Sequence, residues 1–564
     1  MDIQSLTAEL SVAPQIVSAD MRAVAEAGFR SVICNRPDGE APDQPLFGEI
    51  ERAALDNGLQ ARYLPAESGK VTDDQGAAFG ALMAELPKPV LAFCRTGMRS
   101  TTMWALSQAG RMPLPQIIER SSKAGFDLKG VVRRIVNGGK TPLEVTDAAH
   151  EVVIVGGGAA GIAVASSLLA RHPGLDIAII DPADIHYYQP GWTMVGAGIF
   201  DAATTARTMA SVLPRGVHWL KSAVAAFEPE RDAVILDGCR VIKYKQLVVC
   251  PGLKLDWHGI EGLPETLGRN GVTSNYRYDL APYTWDLVQQ LGDRKRGGGK
   301  AIFTQPPMPI KCAGAPQKAM YLSADHWRRH GVLKGIDIQF CNAGAVLFGV
   351  ADYVPALMEY VRAYGIGLNF GQTLVSVDGP AKLATFVQTH ADGTKEKITR
   401  GFDMLHVVPP QRPPDFVRVS PLADAAGWVD VDPGTLQHKT FANIFALGDA
   451  GNTSNAKTAA AARKQAPVVA HNLLALRGAV QGEAARLAVY DGYGSCPLTV
   501  ERGKIVLAEF VYGGKMAPSF PKWLIDGTRP SRLAWYLKER LLPPLYWQAM
   551  LKGREWLAQP EMTT

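Results

Sequence analysis

The chain has 564 residues, 47% of them hydrophobic and 20% charged. That balance excludes a disordered, collagen-like or disulfide-scaffold protein and leaves length for three or four domains. Its net charge of +5 is too small to imply a nucleic-acid partner, and no uninterrupted apolar stretch reaches the ~20 residues of a membrane-spanning helix. The seven cysteines are scattered, with no CxxC pair and no metal-ligand spacing, so no metal is expected. Met1-Asp2-Ile3-Gln4 lacks the basic start and apolar run of a secretory signal, which predicts free thiols in a reducing cytoplasm.

Residues 1–112 alternate strand-like and helical segments, with strands at Ser31–Cys34 and Pro89–Phe93. The second strand runs into Cys94-Arg95-Thr96-Gly97-Met98-Arg99, and a helix is predicted from about Ser100. Backbone amides, a helix start and two arginines around one thiol stabilise its thiolate. Cys94 is therefore read as a nucleophile, with Arg95 and Arg99 holding an anionic donor or acceptor. Tyrosine phosphatases place their arginine six residues after the cysteine, where this chain has Ser100. The shorter Cys-Arg-x-Gly-x-Arg loop resembles that of rhodanese-type sulfurtransferases. The whole region resembles the phosphatase-like domain fused to persulfide-processing hydrolases, which implies sulfane-sulfur transfer through Cys94. A phosphatase would instead draw its general acid from Asp38, Asp43 or Asp73.

Residues 113–148 read as a helical stretch, Leu114 to about Val136, and a polar linker, Asn137-Gly138-Gly139-Lys140-Thr141-Pro142. The strand Glu151–Val155 then enters Gly156-Gly157-Gly158-Ala159-Ala160-Gly161 and a small-residue helix. In this order Gly156 makes the tight turn, Gly158 lets the backbone approach a pyrophosphate, and Gly161 packs helix on strand. The helix N-terminus at Ala159 and Ala160 faces the phosphates. A second strand, Asp176–Ile180, ends in Asp181, about 20 residues on, where a ribose acceptor belongs. Far downstream, Asn443–Leu447 ends in Gly448-Asp449, followed by Lys457-Thr458 and a run of alanines. This resembles the second FAD signature of the disulfide-reductase superfamily. The resemblance implies that Asp449 meets the ribityl chain while Lys457, Thr458 and the helix start stabilise reduced flavin. The FAD domain is thus drawn as residues 149–265 and 430–480.

A second dinucleotide fold, residues 266–429, should open with another glycine loop. Instead the strand Lys300–Thr304 runs into a segment, Gln305–Pro316, with four prolines and no GxGxxG, which cannot present the amides a nicotinamide dinucleotide needs. It carries Cys312 beside Lys311 and a predicted helix start, both of which favour a thiolate. Lys311-Cys312-Ala313-Gly314-Ala315-Pro316-Gln317-Lys318, His186–Thr193, Ala423–Asp432 and Tyr490–Leu498 together resemble sulfide:quinone oxidoreductases of the mitochondrial type. The resemblance runs from about His150 to the C-terminus. It implies sulfide, or a small persulfide or thiol, as reductant, FAD as cofactor, with Gln189 at its site, and membrane quinone as oxidant. It implies Cys312 as the thiol that adds to the flavin at C4a.

The resemblance places a second cysteine after Gly448-Asp449, where this chain has Ala450. That predicts a soluble persulfide supplying the second sulfur, a substitute thiol such as Cys341 or Cys94, or a different donor. Cys496 is given no role. Residues 481–564 hold eight Lys/Arg between Lys515 and Arg554, with Phe520, Trp523, Trp535, Tyr536, Tyr546 and Trp547. Such a composition suits an interfacial segment dipping into one leaflet, or a helical lid on the flavin domain. The expected architecture is α/β: a phosphatase-like or rhodanese-like domain, tandem Rossmann-type folds and a membrane-interface tail. The expected protein is a cytoplasmic enzyme, peripheral on the inner leaflet, with a homodimer left open. Its rivals are a sulfane-sulfur carrier or sensor with an idle flavin half, and a tyrosine phosphatase fused to an NAD(P)/FAD oxidoreductase.

Overall fold

The computed structural model describes residues 1–42, 44–143, 146–478 and 486–562; Asp43 lies outside the described residues. Contacts divide the chain into two units. The first comprises Met1–Ala149, Ala223–Lys243 and Val419–Pro421, and the second the remainder.

In the first unit five four-residue strands form one sheet, in the order Gln4–Thr7, Leu10–Ala13, Val90–Phe93, Ser31–Cys34, Gln60–Tyr63. All neighbours are parallel except the first hairpin. The two central strands are buried at every residue, as parallel strands covered on both faces must be. Met21, Val24, Ile50 and Ala54 cover one face, and Phe79, Met103, Trp104 and Ile117 the other. Cys94 follows Val90–Phe93 directly, so it stands at the carboxyl edge of the parallel strands, where open α/β sheets bind ligands. The predicted helical stretch is realised as Leu114–Lys123 and Val132–Val136. Against it packs a hairpin, Val224–Glu228 with Ala233–Leu236, held by a bidentate Arg133–Glu228 pair with both contacts at 2.7 Å.

In the second unit Val217–Leu220, Ile177–Ile180 and Ala148–Val155 lie in parallel register, and Val241–Val249 carries the sheet on to Ile444–Ala446. The helices Ala159–Arg171 and Ala459–Leu476 pack together over it. A second, all-parallel sheet runs Val272–Thr273, Met404–His406, Gly299–Gln305, Ile336–Asn342, Gly367–Phe370. These are the two dinucleotide folds anticipated above. The region after residue 486 adds an antiparallel hairpin, Gly494–Glu501 with Lys504–Val511, which the sequence pattern does not announce. Beyond it come short helices, Arg532–Tyr536 and Leu542–Gln548, joined by a π turn at Leu537–Leu541.

Candidate functional site

At the first dinucleotide loop each glycine has its own reason. Gly156 sits at φ +106°, and a Cβ there would lie 2.5 Å from the Cys250 carbonyl oxygen. A Cβ on Gly161 would lie 1.9 Å from the Gly156 carbonyl oxygen, so helix and strand could not close. Around Gly158 there is open space, the room that a pyrophosphate over the N-terminus of Ala159–Arg171 requires. Asp181 accepts from the Gly157 amide at 2.6 Å and the Ala183 amide at 2.8 Å, which fixes its carboxylate at the loop. Asp449 ends the turn Gly448–Ala450 and its carboxylate has no hydrogen-bond partner among the described residues, leaving it free for a hydroxyl. Burial raises its pKa, against the pull of Lys457 and Lys311. Trp192 Nε1 and Thr193 Oγ1 are buried without hydrogen-bond partners among the described residues, on the segment that also carries Gln189. Gln189 accepts from Lys311 Nζ at 2.7 Å. Orphaned polar groups, open glycine space and a free carboxylate together fit a dinucleotide.

Lys457 has a second duty. Its ammonium donates to the carbonyls of Asp449 (2.9 Å) and Gly451 (2.8 Å) and lies 4.2 Å from the Trp428 ring centroid. Burial brings its pKa down to about 8. It thus ties the Gly-Asp turn to the helix start, where the Thr458 hydroxyl caps Ala461 at 3.2 Å.

Cys312 sits at φ +49°, the left-handed region, three residues before the helix Ala315–Arg329. Tyr276 Oη donates to the Lys311 and Cys312 carbonyls at 3.0 and 3.3 Å, and the Cys312 amide donates to Lys457 O at 2.8 Å. A non-glycine residue held at positive φ by three hydrogen bonds is the kind of strain that marks functional sites. Its thiol lies 4.0 Å from Cys496 Sγ and 3.2 Å from Lys318 Nζ. Its hydrogen bond with Cys496 holds the Cys312 pKa well below the thiol range, with Lys318 and Lys538 adding to the pull against the opposing effect of burial. Cys496 is pushed up by the same hydrogen bond and by burial. Lys538, buried on the π turn, is brought down to about 7 by burial and by Lys318.

The thiol that the structure places beside Cys312 is Cys496. Ala450 is fully buried, and Cys341 lies in a strand core where burial pushes its thiol up to about 12. Cys496 reaches Cys312 because the unannounced hairpin lays Gly494–Glu501 along the helix Ala315–Arg329. The sequence signal was present in Tyr490–Leu498, but nothing in its local pattern said that it folds back 184 residues. Gly314 makes the approach possible: a Cβ there would lie 2.4 Å from Cys496 Sγ and 2.5 Å from Leu498 Cδ2. Gly314→Ala is expected to displace the hairpin and lower turnover by about tenfold or more, with disulfide formation between Cys312 and Cys496 slowed in a thiol-trapping assay.

In the first unit the Gly97 amide donates to Cys94 Sγ at 3.1 Å, and Arg99 is buried beside it. Arg95 is exposed, with no hydrogen bond or ion pair among the described residues. Arg99 forks onto Glu40, a residue the sequence pattern did not single out, at 2.8 and 2.9 Å. Asp73 is bound to Arg134 and Thr141, and Asp38 accepts from the Phe47 amide.

A glycine-loop dinucleotide site, a Gly-Asp turn with its following helix and a dithiol with one stabilised thiolate define a flavin-dependent oxidoreductase of the disulfide-reductase class. Residues 150–284 match the pyridine nucleotide-disulphide oxidoreductase family model, and residues 2–111 that of the beta-lactamase hydrolase-like protein, phosphatase-like domain. Over 72% of its length the chain is 41% identical to the mitochondrial sulfide:quinone oxidoreductase of Dictyostelium discoideum, 86% of which it covers. The chain belongs to the sulfide:quinone oxidoreductase family. The structure of the Aquifex aeolicus enzyme of that name shares the fold, with a TM-score of 0.58 at 18% identity over 72% of this chain and 92% of that one. The N-terminal part is 35% identical, over 22% of this chain, to a beta-lactamase hydrolase-like protein of Agrobacterium fabrum, of which it spans 29%.

Proposed function

We propose that the chain is an FAD-dependent sulfide:quinone oxidoreductase whose working dithiol is Cys312–Cys496, coupled to a sulfane-sulfur transferase domain built on Cys94. The observation that carries the reading is the 4.0 Å thiol pair with Lys318 at 3.2 Å from one member. In the oxidised pair hydrosulfide attacks Cys496 Sγ, because Cys312, with the lower pKa, is the better leaving thiolate. The S–S bond breaks, Cys496 becomes a persulfide, and the electron pair goes to Cys312. This puts the first sulfur on Cys496 and keeps Cys312 as the thiolate that the resemblance assigns to the flavin. A thiolate acceptor then takes the outer sulfur and leaves Cys496 as a thiolate. Re-forming the disulfide releases two electrons, and FAD, when bound, supplies their acceptor. Lys318 and Lys538, both buried, lower the pKa of the Cys312 thiolate that this step uses.

Quinone as the final oxidant is supported by the tail. Tyr546, Trp547, Met550 and Leu551 are buried in the flavin-fold core, while Trp523, Leu533, Tyr536, Leu541, Trp556 and Leu557 are exposed. The tail is thus both a lid and an apolar surface suited to one leaflet. Among the described residues no helix is long and apolar enough to cross a membrane. A cleft of about 400 Å³ lined by Tyr188, Phe200, Arg207, Pro543, Pro544 and Trp547 would take an isoprenoid quinone. The carrier-or-sensor alternative rested on a missing second thiol, which Cys496 supplies.

In anaerobic stopped-flow, sulfide or a small persulfide is expected to bleach the flavin absorbance of the full chain, and decylubiquinone to restore it. Bleaching by NADH, and none by sulfide, would overturn the reading.

A further inference from the structure

Glu40 is gripped by two buried arginines, one of them in the helix that follows the Cys94 loop. Cys94 is wholly inaccessible in the structure, although sulfur transfer needs its thiol exposed to a partner. Arg99 lies in the first turn of the helix that follows the Cys94 loop, within electrostatic reach of the thiol, and its guanidinium holds the Glu40 carboxylate. A second buried arginine, Arg36, adds its Nε to Glu40 Oε2 at 2.6 Å. Three N–H donors from two arginines therefore converge on one carboxylate, and Oε2 has to serve two of them.

Both arginines are anchored independently of Glu40. Arg99 Nη1 donates to the Ala66 carbonyl at 2.7 Å, and Arg36 Nη1 donates to Gln15 Oε1 at 3.0 Å. Remove Glu40 and the fork stays in place with its charge uncompensated. Glu40, by contrast, comes from the loop between Cys34 and Phe47, and its side chain keeps 23% of its surface in solvent, so it can leave without crossing a core. Two buried positive charges beside a thiol want a dianion, and three donors want three oxygens; a carboxylate offers one charge and two oxygens.

We propose that Arg36 and Arg99 form a pocket for a small tetrahedral oxyanion of charge −2 next to Cys94, and that Glu40 is an internal anion that occupies this pocket and covers the thiol until the ligand displaces it. The pocket itself does not depend on the direction of sulfur flow; only the naming of its ligand as a sulfur oxyanion rests on the sulfurtransferase reading. With thiosulfate, the Cys94 thiolate attacks the outer sulfur, the bond to the sulfonate sulfur breaks, and sulfite leaves with the electron pair. The product is the Cys94 persulfide.

The test uses the full chain and inorganic sulfate, which binds without reacting. Cys94 alkylation by iodoacetamide, read on its peptide by mass spectrometry, is expected to be at least about tenfold faster in Glu40→Gln and Glu40→Ala than in wild type. Sulfate should restore protection in both variants at concentrations about tenfold lower than it acts on wild type, and Arg99→Gln in the Glu40→Gln background should abolish that protection. Unchanged alkylation in Glu40→Gln, or sulfate acting no better on it than on wild type, would overturn the proposal. Turnover separates the ligands. Sulfate protection with thiosulfate-to-cyanide transfer supports the sulfur oxyanion. Protection with hydrolysis of p-nitrophenyl phosphate alone keeps the pocket and overturns the sulfurtransferase reading of the domain.

Discussion

Cys496→Ala is expected to lower the rate of flavin reduction by sulfide by about a thousandfold, the scale on which removal of a covalent catalytic partner acts. With Cys496 gone, Cys312 has no disulfide partner at 4.0 Å, and hydrosulfide has no S–S bond to cleave. The substitution removes a small buried side chain from the hairpin, so the fold is expected to lose only about 1 kcal/mol or a little more. Re-oxidation of dithionite-reduced enzyme by quinone, which bypasses the thiols, should therefore persist within about twofold, and this separates lost chemistry from lost structure. Cys341→Ala serves as the control: its thiol is buried in a strand core far from ionising, and sulfide-driven reduction should stay within about twofold of wild type. Sulfide-driven reduction in Cys496→Ala within tenfold of wild type would show that a soluble persulfide, or some other thiol, completes the site.

What could be read from the sequence was whatever local chemistry dictates. Gly156, Gly158 and Gly161 announce their roles because a turn, a phosphate and a helix contact each forbid a side chain, and the structure finds those contacts at Gly156 and Gly161. Cys312 announces itself through Lys311 and the helix start. Long-range closure was not legible. Cys496 lies in an ordinary strand, Gly494–Glu501, and meets Cys312 only when the hairpin packs on Ala315–Arg329, whereas the family resemblance pointed to the position after Gly448-Asp449, where the chain has Ala450. Lys538 was hidden for the same reason. In the tail it reads as one of eight surface cations, yet it is buried beside the thiols. Glu40 escaped notice because a glutamate in a polar loop carries no pattern; only the fork of Arg99 gives it meaning.

The ionisation of the reduced pair gives the second large effect. Lys318→Met keeps the length and apolar stem of the side chain but removes the charge 3.2 Å from Cys312 Sγ. A nearby cation lowers a thiol pKa, so its loss must raise it, and the acid limb of Cys312 alkylation by a neutral reagent should move up by at least about one pH unit. At pH below both limbs that amounts to a fall of about tenfold in thiolate and in the rate of the step that uses it, and above them the variant converges on wild type. Lys538→Met should behave differently. Burial and Lys318 bring the Lys538 pKa to about 7, so its charge is present mainly below that pH. The variant should then shift the limb less than Lys318→Met does, because Lys538 carries its charge only in the acid part of the range. Parallel shifts in the two variants would mean that both lysines act as one fixed field. An unshifted limb in Lys318→Met would leave the low thiol pKa to the hydrogen bond between Cys312 and Cys496 and to Lys538, and would remove Lys318 as the cation that controls the electron-donating thiolate.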